Sequence, residues 1–419
     1  MLKVGPNSLL CALVVALGCS EPFLPGAPDA RQHLEGPIDG LSGSQRALFV
    51  RGDEEFGRRF TAGDGLGPLF IATACEACHA GDGKGHPLFD ITRFGRYVGL
   101  TFDPMRSEGG PQLQNRAILG YLGERVPLGA TVSARFTPPA VTGLGLLEAV
   151  DDATILALAD SADLDADGIS GRPGWADSSD LVAELAAAAT AAAPGAPARH
   201  LSYDGRYLSR FGKKATTVTL RHQTVTAYAQ DMGLTTDENP NDLLLAGLAG
   251  ASGDAVSDPE VGSGIVSNVV FYLRTVRPPP RRNATAADVV AGEALFTSIG
   301  CVACHVPSLT TGRSEIAPLD QVTFAPFTDL LLHDMGVELD DGYTEGNAIS
   351  SEWRTPPLWG IGLAERAQGG GAYYLHDGRA RTLRAAIGLH GGEGATSRAA
   401  FNALTPAQQE QLLKYLRSL

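Results

Sequence analysis

The chain has 419 residues, 44 % of them hydrophobic, with a formal net charge of −14 at pH 7 and only 6 cysteines. That length allows two or three domains with sizeable cores, and the acidic balance excludes nucleic acid as a natural partner. Beyond the first twenty residues, no stretch is long and apolar enough to read as a membrane span.

In chain order, Lys3 precedes a short apolar run, Leu9 to Leu17, too short to cross a bilayer and shaped like a secretory signal. The run ends in Ala16-Leu17-Gly18-Cys19, which reads as a bacterial lipobox with Cys19 as the lipidated residue; ordinary signal cleavage nearby is the alternative. Residues 1–19 are therefore expected as a signal peptide. Residues 20–44, rich in Pro, Ala and Gly, are expected as a flexible tether. Either way the protein is expected to be exported to the periplasm and to meet the membrane only through a lipid anchor.

The pentapeptide Cys-x-x-Cys-His occurs twice, as Cys75-Glu-Ala-Cys78-His79 and Cys301-Val-Ala-Cys304-His305. Two intervening residues let both sulfurs reach one porphyrin edge, and the next residue swings beneath the ring to bind iron. The other cysteines, Cys11 and Cys19, fall in the signal segment, so no pair remains for a disulfide and no clear ligand set for zinc. The expectation is two covalently bound haem c groups, with His79 and His305 as iron ligands.

A similar phrase follows each motif: Thr137-Pro-Pro-Ala-Val-Thr-Gly-Leu-Gly-Leu-Leu-Glu148 and Thr355-Pro-Pro-Leu-Trp-Gly-Ile-Gly-Leu-Ala-Glu365. The repeated order predicts a mainly α protein with long loops and little β, built as two cytochrome c-like haem domains by internal duplication. The domains are expected at 45–260, with an Ala/Pro-rich insert at 183–199, and at 261–419. Helices are predicted over 262–276 and 286–296, and from a cap at Thr405-Pro-Ala-Gln408 to the C-terminus. Asp163, Asp165 and Asp167 have the spacing of oxygen ligands in a calcium loop, with Gly168 at the sixth position. Gly174 stands where an EF-hand has glutamate, so a carboxylate-rich turn remains the alternative to calcium.

Thr382 predicts the cap of a short helix placing Leu383, Ile387 and His390 on one face, with glycines just beyond. A histidine on an apolar face beside a haem domain is a candidate second axial ligand for the His305 iron. A core histidine bonded to a backbone carbonyl is the plainer alternative. The matching region of the first half, Asp151 to Asp160, contains no His, Met or Lys. One iron is thus expected to be closed on both sides, and the other to keep an open face suited to substrate. His86, Met105 and Met232 are weaker candidates for that face. Glu148 is the candidate carboxylate for moving a proton during peroxide cleavage.

Tyr374-x-His376-Asp-Gly followed by Thr382-Leu-x-x-Ala-Ile resembles the C-terminal haem domain of the bacterial di-haem cytochrome c peroxidase superfamily. More closely, the chain resembles the exported di-haem oxidoreductases that carry the labels peroxidase and "thiol oxidoreductase". The matching phrases are Gly65-Leu-Gly-Pro-Leu-Phe70, Gly143-Leu-Gly-Leu-Leu-Glu148, Asp165-Ala-Asp-Gly-Ile-Ser-Gly-Arg-Pro173, His333-Asp-Met-Gly336, His376-Asp-Gly-Arg-Ala380 and His390-Gly-Gly-Glu393. The resemblance implies that His390 sits where the superfamily has a distal ligand, usually methionine, so bis-histidine coordination and a lower potential are expected. It also implies a tryptophan between the haems, for which Trp353 and Trp359 are the candidates. The expected activity is reduction of hydrogen peroxide with electrons from a small cytochrome c. The alternatives are an enzyme that oxidises a side chain of a partner protein, and a plain electron carrier.

Overall fold

The computed structural model describes residues 34–177, 202–243 and 256–419. The expected signal segment with Cys19, and the insert at 183–199, lie outside the described residues. Residues 34–42, within the stretch expected as a tether, lie against the body of the protein: Ile38 N–H donates to Thr275 O at 2.7 Å, and Leu41 is buried.

Ten α-helices occur among the described residues. In the first half they are α1 (Gly43–Gly57), α2 (Leu144–Glu148), α3 (Asp152–Leu156) and α4 (Leu220–Met232). Then come α5 (Ser263–Thr275), α6 (Ala287–Ser298), α7 (Ala364–Ala367), α8 (Leu383–Gly388), α9 (Ala395–Ala403) and α10 (Pro406–Ser418). Their starts follow local chemistry. Ser42 and Gln45 form a reciprocal capping box on α1, and Thr405 and Gln408 form one on α10, where Pro406 occupies the first turn.

Two helix crossings frame the molecule. α1 meets α5 at Gly52, where a Cβ would lie 2.2 Å from Asn268 O; α6 meets α10 at Gly292, where a Cβ would lie 2.1 Å from Gln411 O. Only glycine lets the backbones come that close. One turn further on, Phe56 stacks 5.3 Å from Tyr272 and 6.2 Å from the His79 ring. Phe296 stands likewise 5.3 Å from Tyr415 and 6.2 Å from His305. Each Cys-x-x-Cys-His motif therefore sits beside a helix crossing.

The expectation of a mainly α protein with little β, made of two duplicated cytochrome c-like domains, is corrected on both points. Helix accounts for 35 % and strand for 15 % of the structure. The strands form five small antiparallel sheets of two or three strands, the longest being Ile91–Val98 between Thr101–Asp103 and Val132–Phe136. Most strands are too short for alternation to register in the sequence. Nor does the core divide into two copies. One cluster joins Phe49 and Phe56 of α1, Leu147, Val266 and Val269 to Leu309, Leu330, Leu331 and Trp359 from the other half.

Candidate functional site

Both motifs curl into one helical turn: His79 N–H donates to Cys75 O and His305 N–H to Cys301 O, each at 3.0 Å. The turn brings each histidine back over its own cysteines. All four thiols are free of disulfides. Burial pushes Cys75, Cys78 and Cys301 up to about 12, with Asp231 adding to the effect at the first two. Thiols held protonated are poor nucleophiles, so disulfide chemistry at these positions gains no support.

The three expected iron ligands share one arrangement. Nδ1 of His79 lies 2.8 Å from Pro139 O, that of His305 3.0 Å from Phe327 O, and that of His390 2.8 Å from Ala386 O. An Nδ1–H donated to a carbonyl fixes the tautomer and leaves the Nε2 lone pair for a metal. Burial lowers His79 and His305 to about 4 and lowers His390 as well, keeping all three neutral as ligation requires. His390 is among the electrostatic neighbours of His305. The Thr382 hydroxyl accepts Ala385 N–H to start α8, and His390 follows directly after that helix. These residues fit a covalently attached haem at each motif.

Glu148, expected near the first haem, ends α2 in the core, 4 % exposed. Its carboxylate accepts Leu220 N–H at 2.8 Å and Arg274 Nε–H at 2.5 Å, tying the start of α4 to the end of α5. Two acids that the sequence did not single out are connected to the first motif, one directly and one through hydrogen bonds. Asp231, at the end of α4, is an electrostatic neighbour of both Cys75 and Cys78, and burial raises its pKa. Gln112 Nε2–H donates to it at 2.6 Å. Glu124 accepts Gln114 N–H at 2.8 Å, and burial pushes it to about 7. Gln112 and Gln114 both donate to Gln230 O at 3.1 Å, so Glu124 and Asp231 belong to one half-buried polar run whose Asp231 end neighbours the motif. Isolated acids in loops carry no spacing that would mark them in a sequence.

The weaker ligand candidates are occupied otherwise. His86 Nδ1 accepts Leu88 N–H at 3.1 Å and its ring packs 4.5 Å from Tyr373; Met105 and Met232 are buried apolar side chains. Trp353 is stacked on His376 at 3.6 Å, with Lys214 Nζ 3.7 Å from the same ring, so the indole lies between an imidazole and an ammonium. Trp359 packs on Gly143 and on Phe324, linking the segment after Pro139 to the segment before Phe327, whose carbonyls hold the two motif histidines.

In the acidic loop, carboxylate oxygens of Asp160, Asp163 and Asp165 lie within 4.8 Å of one another. Asp160 was not foreseen. Asp167 instead accepts Ile169 N–H at 2.8 Å. The loop leads to Ser170, whose hydroxyl donates to Glu393 at 2.6 Å; Glu393 in turn lies 2.6 Å from His333 Nδ1, and His333 is 3.6 Å from Cys304 Sγ. This assembly behind the second motif draws on three of the phrases that carried the resemblance.

The family described as "Di-haem oxidoreductase, putative peroxidase" matches residues 128–419, a stretch that includes the second motif and begins after the first. No curated protein matches the chain. Among solved structures, a chain of Kuenenia stuttgartiensis hydrazine synthase, pressurised with 20 bar xenon, is similar at 15 % identity with a TM-score of 0.40. The similarity covers 99 % of this chain and 100 % of that one.

Proposed function

Since the chain belongs to the di-haem oxidoreductase family, we propose that it is an exported periplasmic enzyme carrying two haem c groups. It reduces hydrogen peroxide at the His79 haem with electrons entering at the His305 haem. The carrying observation is an inequality between the two sites. The electrostatic neighbours of His305 include His390, whereas those of the first motif include the half-buried acid Asp231 and the amine of Lys213. When bound, haem supplies an iron that exchanges single electrons and accepts an oxygen ligand where an axial position is open.

The chain's own residues do the rest. Cys75, Cys78, Cys301 and Cys304 anchor the groups, and the Nδ1 bonds of His79 and His305 orient each ring. His390 closes one site to substrate. At the other, a carboxyl must take a proton from one peroxide oxygen and return it to the leaving oxygen. A group titrating near neutrality does both. Glu124, held near 7, has that property, while Glu148 is engaged by Arg274 and Leu220. The charge of −14 suits a small basic cytochrome as donor. Asp163 and Asp165, joined by Asp160, are the proposed calcium ligands, and Cys19 the lipid anchor.

Electron paramagnetic resonance of the ferric protein tests this reading. One high-spin haem that changes on adding peroxide, with steady turnover of a reduced cytochrome, is expected. Two low-spin haems inert to peroxide would leave an electron carrier instead.

A further inference from the structure

Three neighbouring cations, Lys84, Lys213 and Arg354, share few carboxylates with other cations around them. Lys213 follows the Gly212 turn, and its electrostatic neighbours are Lys84, Arg354, Asp90 and Asp377. No hydrogen bond to its Nζ forms among the described residues. Lys84 Nζ donates to Leu375 O at 2.7 Å. Arg354 donates from Nε to Gly212 O and from Nη1 to Thr355 O, each at 2.9 Å. The two acids are already shared: Asp90 pairs with Arg135 at 3.3 Å, and Asp377 with Arg379 at 2.7 Å.

The group spans the space between the two sites. Lys213 is a neighbour of His79, and its carbonyl accepts Arg354 N–H at 3.0 Å. Arg354 is a neighbour of Asp329, which lies 2.8 Å from His333, itself beside Cys304. We propose that Lys84, Lys213 and Arg354 form the seat of the haem propionates, the anionic arms each porphyrin carries. Ammonium and guanidinium groups bind carboxylates through charge-assisted hydrogen bonds. Without such an anion, three clustered, half-buried cations repel one another and lose part of their hydration. The chain alone shows that cost: burial depresses Lys84 to about 8 and Arg354 to about 10, and it lowers Lys213 as well, with Lys84 and Arg354 adding to the effect there.

This inference rests on the haem-binding reading and is independent of the substrate. A wild-type preparation lacking two attached haems would fail that reading. The test for the seat uses holoprotein of wild type, Lys213→Met, Lys84→Met and Lys213→Arg. Haem content, spectroelectrochemical midpoint potentials and paramagnetic resonance are measured for each. Both haems should remain attached, at least one midpoint should fall in the Met variants, and Lys213→Arg should restore it, because a lost cation favours the more positive oxidised iron. Unchanged potentials in both Met variants, with both haems in place, overturn the seat. So does loss of a low-spin signal in Lys213→Met, which would make Lys213 an axial ligand. A chloride- or nitrate-dependent potential in wild type that the Met variants lose also overturns it, since the cations would then hold a free anion. Should Lys213→Met fail to fold, Lys84→Met carries the same test.

Discussion

A charged imidazole sealed inside a protein needs carboxylates to hold it, and His333 has two, Asp329 at 2.8 Å and Glu393 at 2.6 Å. Burial opposes the charge, but the bonds to Asp329, Cys304 and Glu393 outweigh it and hold His333 charged up to about 12. Glu393, also opposed by burial, is drawn down to about 2 by His333 and Ser170. The raised histidine stabilises fully below its unfolded value of 6.5 and loses that effect as pH climbs toward 12. The depressed glutamate stabilises fully above 4.5 and loses its effect as pH falls toward 2. The pair is therefore strongest between pH 4.5 and 6.5. Glu393→Gln removes one of the two carboxylates and leaves Asp329, so denaturant titration at pH 6 should show a loss of about 2 kcal/mol. A loss below ~1 kcal/mol, the range of exposed pairs, would mean water reaches the site. His390 makes a separate prediction. His390→Ala should remove one low-spin resonance signal. His390→Met should restore one at a higher midpoint potential, because thioether ligation favours reduced iron. Unchanged spectra in both would place the second ligand elsewhere.

At the scale of elements, the two glycine crossings fix how closely each helix pair approaches its motif. Gly292→Ala would drive a methyl to 2.1 Å from Gln411 O, and Gly52→Ala to 2.2 Å from Asn268 O, both backbone atoms that cannot swing aside. Each should cost about 1–3 kcal/mol or more through overpacking. Gly264, exposed on α5 with nothing within 4 Å of a built Cβ, should instead gain about 0.5–1 kcal/mol on conversion to alanine. Thermal melts of the three variants check the contrast in sign; a stabilising Gly292→Ala would show that α6 and α10 can separate freely. Some of these elements were readable beforehand. Thr405, Pro406 and Gln408 announce α10 because capping is local chemistry, and Thr382 announces α8 for the same reason. The sheets were not readable, because strands such as Leu332–Asp334 and Glu352–Arg354 span three residues each and pair across a loop. The motifs were legible because covalent attachment demands fixed spacing. Lys213, Asp231 and Glu124 were not, because their chemistry comes from burial and from neighbours distant in the chain.

At the scale of the molecule, the surroundings of the two motifs are coupled mechanically. Arg172 grips Glu352 through two bonds, at 2.6 and 2.5 Å, and exchanges backbone hydrogen bonds with Leu332. Ser170 reaches Glu393, and Arg93 pairs with Glu345 at 3.6 Å. The core continues underneath these links, with Leu330 and Leu331 fully buried in the cluster that also holds Val266, Val269 and Tyr272 of α5. The second motif also packs on a smaller cluster of its own, with Phe296, Phe327 and Leu413, but the larger shared core ties that region to the first half. Unfolding of the holoprotein should therefore be a single transition, with the signals of both haems vanishing over the same temperature interval as the far-ultraviolet dichroism. Leu331→Ala, which opens a cavity in the shared region, should cost about 2–5 kcal/mol and lower both haem signals together. If only the signal of the His305 haem moves, or if two separated transitions are seen, residues 45–260 and 261–419 fold as independent units. The links from Arg172 to Glu352 and from Ser170 to Glu393 would then be contacts between domains rather than parts of one core.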